Sequence, residues 1–283
     1  MAWSFRHRWQ PALLASALVV ELSLSATVVA TPRDHPASAT AGDTVSTLVV
    51  AGERTVRLVA RGGSNTDRLL SRVAAGIGAA VDAVEAFWGK QWTREITVVA
   101  TGSQREFVAA AGAGTGSQWA DIAAVTVADR VDPDHRVAVG QRIVFAPGAA
   151  AMSDAALRIV LRHELFHYAA RADTALDAPR WLTEGVADFV ARPPTSAAGA
   201  AALATTLPSD ADLDAPGPQR SLAYDRAWWF TRFVADAYGA ATLRRLYVAA
   251  GGAGHVDAVA AMRTVLRGDP ADLLARWQRW LTG

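Results

Sequence analysis

The chain has 283 residues, 51% of them hydrophobic and 19% charged, with a formal net charge of +1. That balance favours a packed core over disorder and gives no electrostatic reason to expect a nucleic-acid partner. The absence of cysteine excludes a disulfide framework, a Cys-ligated zinc and a lipidated N-terminal cysteine.

Residues 1–30 read as a signal peptide. Arg6, His7 and Arg8 form a positive start, Leu13 to Val29 is mostly apolar, and Val28-Val29-Ala30 offers a cleavage site. Glu21 interrupts the apolar run, which favours a cleaved signal over a membrane anchor formed by residues 11–30. Either way the protein is expected to be secreted or otherwise to act outside the cytoplasm. Residues 31–44, rich in Ala, Ser, Thr and Pro, read as a flexible linker. The remainder, 45–283, divides into an α/β part (45–150) and a helical part (151–283).

Between Val45 and Ala60, two β-rich runs flank Ala51-Gly52-Glu53 and predict a hairpin. Thr66 to Trp88 carries Leu69, Val73, Ile77, Val81, Val84 and Trp88 at helical spacing. Glu95 to Ala100 reads as a buried strand. Ser103 to Ala110 reads as a short helix, with Ser103 at its cap and Glu106 three residues on. The glycine-rich run 111–116 is a loop without the Lys-Ser/Thr ending of a phosphate loop. Ala123 to Ala128 and Arg142 to Ala146 read as strands.

The next segment holds His163-Glu164-Leu165-Phe166-His167, an HExxH pattern. It lies on a predicted helix from Ser153 to Arg171, capped by Ser153 or Asp154. Leu157, Leu161, Leu165 and Tyr168 form a core-facing stripe, and Val160, His163, Glu164 and His167 an adjacent one. Residues four apart on a helix share a face, so His163 and His167 can bind one Zn²⁺ while Glu164 acts as general base on its water. Two histidines on a nearly apolar helix would be costly to bury without such a partner.

A hydrolytic zinc needs a third protein ligand. A second helix is predicted from Pro179 to the stop at Pro193-Pro194. It carries Glu184, and Asp188 one turn later on the same face. Glu184 is the candidate third ligand, and Asp188 is placed to receive the second ring N–H of a ligating histidine. Gly185 and Ala187 are expected to let this helix pack closely against the first.

Downstream, residues 196–207 read as helical or loosely ordered, and 210–218 as a Pro/Asp loop. Tyr224 opens a helix closed by Gly239. Leu273, Leu274, Trp277 and Trp280 place a final helix over 270–281. His255, in Gly-Gly-Ala-Gly-His, is a candidate donor to an oxyanion formed during catalysis. A structural Tyr224 capping the helix against the core is compatible with the residues.

HELFH followed by WLTEGVADF resembles the gluzincin branch of the zincin metallopeptidases, in particular peptidase MA-like domains with HExxH and ExxxD motifs. The resemblance covers roughly residues 153 to 192. It implies zinc bound by His163, His167 and Glu184, Glu164 as catalytic general base, Asp188 behind the ligands, and peptide-bond hydrolysis. It also favours Tyr224 as a catalytic donor, since related chains carry a Tyr-helix-Tyr-Gly pattern. The implied fold is α+β and zincin-like: a mixed α/β upper half with an edge strand over the cleft, and a helical lower half carrying the metal site. The strand at 141–145 would be that edge, able to pair with an extended peptide or protein substrate. An ordinary internal strand is as compatible with its residues. The alternative function is a catalytically inactive peptidase-like metal-binding or protein-interaction domain of the cell envelope.

Overall fold

The computed structural model describes residues 45–112, 122–196 and 206–282. The predicted signal peptide and linker lie outside them, as do most of the glycine-rich run and of the Ala-rich stretch after Ser196. The described part is α+β, and its five-stranded sheet comes entirely from the N-terminal part.

Two strands, β1 (Val45–Ala51) and β2 (Arg54–Arg61), form the expected antiparallel hairpin about Gly52, whose φ of 60° fits the tight turn. The long helix α1 (Ser64–Trp88) crosses back to β3 (Glu95–Thr101), which pairs in parallel with β2. All six apolar residues of its predicted stripe are buried. Ser103 and Glu106 form the expected reciprocal cap of α2 (Gln104–Ala111).

Two further strands complete the sheet, β4 (Ala124–Val127) and β7 (Arg142–Phe145), joined through a small hairpin that sequence patterning missed, β5 (Arg130–Asp132) and β6 (Val137–Val139). The strand order β1-β2-β3-β7-β4 corrects the expectation for residues 141–145. The strand leading toward the HExxH helix is internal, parallel to β3 on one side. The edge is β4, which folds back antiparallel on the other side of β7, with Thr126 opposite Ile143.

After Asp154 the named elements are helical. The HExxH helix, α3 (Asp154–Ala170), starts where Ser153 Oγ accepts the Ala156 N–H at 3.2 Å. Asp154 instead pairs with Arg72 of α1. Near its end, Tyr168 packs against the sheet. Its hydroxyl lies 3.1 Å from the Glu95 carbonyl and 3.2 Å from the Gln141 carbonyl, and accepts the Thr97 N–H at 3.3 Å. Burial pushes this phenol up to about 12. Phe166 meets Trp88 and Tyr247 edge to face.

The second motif lies on α4 (Arg180–Ala191). Then come α5 (Asp210–Asp214), α6 (Pro218–Tyr238), α7 (Ala240–Gly251), α8 (Ala258–Leu266) and α9 (Pro270–Thr282). The stretch 210–218 is therefore not simply a loop, because Ser209 and Asp212 cap a short helix reciprocally. Nor does Tyr224 open its helix: Pro218 does, in the first turn, after Gly217 at φ 64°. Neither α7 nor α8 was anticipated. In α9, Leu273 and Trp277 are fully buried while Leu274 and Trp280 are partly covered. Among the described residues no helix is long and apolar enough to cross a membrane.

Candidate metal centre

The helix pair α3 and α4 brings His163, His167 and Glu184 together, with one potential ligand atom from each within 4.8 Å of the others. The spacing of His163 and His167 places their rings on one face of α3, with Nε2 atoms 3.1 Å apart. Glu184 Oε2 lies 3.3 Å from Nε2 of His163 and 3.6 Å from Nε2 of His167. His163 and Glu184 are fully buried and His167 nearly so.

The donor types and spacing fit a tetrahedral ion. Bonds of about 2.0–2.1 Å to nitrogen and oxygen put tetrahedral donors roughly 3.3 Å apart. The three observed separations, 3.1, 3.3 and 3.6 Å, bracket that value. The chemistry of the donors agrees. His163 Nδ1 lies 3.0 Å from Asp188 Oδ1. An ionised carboxylate only accepts, so His163 Nδ1 carries a proton and donates to it, which leaves Nε2 on the side of Glu184 and His167. Both Glu184 oxygens are buried without a hydrogen-bond donor. Two ring nitrogens and a carboxylate thus converge on one point in a site shielded from water, an arrangement that a cation would satisfy.

Asp188 remains ionised for a physical reason. Burial opposes its charge, but Arg192 and His163 outweigh burial and hold the carboxyl below its ordinary value. Arg192 lies 2.6 Å from Asp188 Oδ2 and donates to Asp225 Oδ1 at 2.8 Å. For Arg192, burial lowers the value, and the two aspartates more than reverse it.

Glu164 is also fully buried. Thr126, on the edge strand β4, places its hydroxyl 2.9 Å from Glu164 Oε2 and 2.8 Å from the Glu164 carbonyl. One hydroxyl proton serves these two acceptors, so the sheet edge grips the glutamate at both side chain and backbone.

Arg180 lies one turn before Glu184. It donates Nη1 to Asp214 at 2.8 Å, while its Nε and Nη2 are buried without an acceptor. Burial works against this guanidinium, but the Asp214 hydrogen bond and the nearby Glu184 carboxylate raise it above its ordinary value.

Neither candidate oxyanion donor belongs to the ligand group. Tyr224 is fully buried within α6. His255 stands in the turn between α7 and α8, where its Nε2 lies 3.0 Å from Asp177 in the α3–α4 connection. Gly185 is needed, but for a different partner than expected. A Cβ there would meet the Ala227 carbonyl oxygen at 2.6 Å, and the Gly185 carbonyl accepts the Thr231 hydroxyl at 2.8 Å. The close approach is to α6, not to α3.

Sequence reasoning missed Thr126, Arg180, Arg192 and Asp225. Arg192 had a signal, being four residues after Asp188 on the same helix. Thr126 and Asp225 had none, since their relation to the site exists only once the sheet and α6 are in place. No protein-family model matches this chain and no curated protein matches it in sequence, so the reading of the site rests on its own residues and geometry.

Proposed function

We propose that this chain is a zinc-dependent metallopeptidase of gluzincin type with a zincin-like fold, acting on peptides or proteins outside the cytoplasm. The observation that carries the proposal is the buried Glu184 carboxylate, without a hydrogen-bond donor and 3.3 and 3.6 Å from the Nε2 atoms of His163 and His167. The edge strand lying against the HExxH helix supports it, through the contact of Thr126 with Glu164. The N-terminal sequence supports export.

His163, His167 and Glu184 would hold the ion, and two histidines with one carboxylate are a donor set characteristic of hydrolytic zinc. The ion, when bound, supplies Lewis acidity, polarising a carbonyl and lowering the pKa of water. Glu164 takes a proton of the attacking water on its carboxylate while the C–O bond forms and passes it to the departing nitrogen as the C–N bond breaks, so that water and peptide become a carboxylic acid and an amine. Thr126 fixes the direction of that carboxylate through Oε2. Asp188 holds the His163 ring in the tautomer that presents Nε2.

Two measurements test the reading. Zinc should bind at about one equivalent and be lost in Glu184→Ala. Casein or a peptide library should then be cleaved, with Glu164→Gln slower by about 10²- to 10⁴-fold. No zinc binding removes the proposal. Zinc binding with no cleavage faster than Glu164→Gln makes the chain a metal-binding interaction domain.

A further inference from the structure

The polar chain behind His163 does not stop at Asp188. We propose that Arg192, clamped by Asp225, is a positioning residue that fixes the Asp188–His163 pair and so sets the metal affinity of the site. The inference rests on the metal reading above and extends it to residues on α6.

The geometry is continuous. Asp188 Oδ1 lies 3.0 Å from His163 Nδ1, and Oδ2 makes an ion-pair contact with Arg192 Nη2 at 2.6 Å without the direction of a hydrogen bond. A carboxylate held at one oxygen can still turn about its terminal torsion; a buried cation against the second oxygen opposes that turn. Arg192 leaves the C-terminus of α4 in an extended conformation, and its backbone N–H donates to the Asp188 carbonyl at 2.9 Å. A cation there also suits the negative end of the helix dipole. On its far side the guanidinium meets Asp225 at 2.8 Å and lies 4.8 Å from the ring centroid of Trp228. Asp225 and Trp228 are three residues apart on α6 and form one wall.

A purely structural pair would need only Arg192 and Asp225 to join α4 to α6. Gly185 already seats α4 against α6 through the Ala227 and Thr231 contacts. Burying Asp188 as well carries a desolvation cost that ion pairs often fail to recover. A role in orienting His163 explains why the inner carboxylate is there.

Charge and orientation can be separated. Arg192 and Asp225 carry opposite charges, so removing both leaves the formal charge near the ion unchanged and removes only the clamp. Zinc affinity is measured by competition with a chromophoric chelator. In Arg192→Met/Asp225→Asn it should fall by about 10- to 100-fold relative to wild type, the range for loss of an outer partner. Arg192→Lys, which keeps the charge but not the two-armed fork, should fall between the two. In zinc-free wild type, the ring ¹⁵N shifts of His163 should report a single Nδ1–H tautomer, and in the double variant a mixture. A structural brace alone would not alter that signature.

A folded double variant that binds zinc within about twofold of wild type overturns the inference, given that the expected loss is tenfold or more. If the double variant does not fold, Asp225→Asn alone decides. Its carboxylate is 34% exposed, and several-fold weaker zinc binding supports the inference while unchanged binding overturns it. Failure of the wild-type protein to bind zinc at all would instead remove the metal reading, and this inference with it.

Discussion

Among the described residues, three histidines stand beside an aspartate at nearly the same distance: His163–Asp188 at 3.0 Å, His255–Asp177 at 3.0 Å and His135–Asp132 at 2.9 Å. Their surroundings differ. The side chains are 0% and 5% exposed in the first pair, 16% and 83% in the second, 78% and 41% in the third. In the exposed pairs water competes for every charge, so each contact adjusts a protonation equilibrium and little else. In the buried pair the aspartate has no water to fall back on and needs Arg192, which in turn needs Asp225. A His–Asp contact is therefore not a signature by itself. The signature is a contact that the fold has to complete with further partners.

The largest effect should come from breaking the buried pair. Asp188→Ala leaves Arg192 buried with only Asp225 and His163 without its acceptor, and should lose about 3–5 kcal/mol of stability in urea melts of zinc-free protein. A loss below about 1 kcal/mol would put this pair with the surface ones. Next is the seat of α4 on α6. In Gly185→Ala the new Cβ meets backbone, which cannot swing aside, and about 1–3 kcal/mol should be lost. An unchanged denaturation midpoint would show that the two helices part easily.

The surface pairs should respond mainly to pH. The Val256 carbonyl and Asp177 raise His255 above its ordinary 6.5. Its stabilising contribution is thus full below 6.5 and disappears as pH rises through the raised folded value. His255 and the neighbouring backbone hold Asp177 below its ordinary 3.8, so its contribution is present above 3.8 and disappears as pH falls through the lowered value. The Tm difference between wild type and His255→Asn should therefore be widest from about pH 4 to 6.5 and fade in alkali. A difference that grows with pH would reverse the assigned sign. Smallest of all, Asp132→Asn should leave the Tm at pH 7 unchanged, and a drop of several degrees there would show that exposure is a poor guide to these pairs.

Much of the helical architecture was legible because periodicity reports burial directly. The α1 stripe, the Ser103–Glu106 cap and the Ser153 cap depend on residues close in sequence. His163, His167 and Glu184 were legible as a group because their residue types suit one chemistry and two helices can bring them together. The sheet order was not. Both β4 and β7 are short runs with three buried residues of four, and nothing in such a pattern says which lies outside. The resemblance pointed to 141–145 as the edge while the residues left an internal strand equally open, and the chain takes the inner position after the β5–β6 excursion. Thr126 was invisible for the same reason, since its value depends on being at the true edge. Gly185 was recognised as a close-approach position but assigned the wrong neighbour, as a glycine shows that something comes near without saying what.

Tyr168 immediately follows His167, and its hydroxyl reaches β3 and the residue before β7. That makes it an indexing pin for α3. Successive residues on a helix point about 100° apart, so a small roll of α3 about its axis would swing both imidazoles away from Glu184. Three backbone groups, from β3 and from the residue before β7, resist the roll, and burial, which pushes the phenol up to about 12, favours the protonated hydroxyl that holds them. The sheet in this molecule therefore has a task beyond supplying a core. It sets the angular phase at which two histidines meet the third side chain, and does so from one position along the same helix.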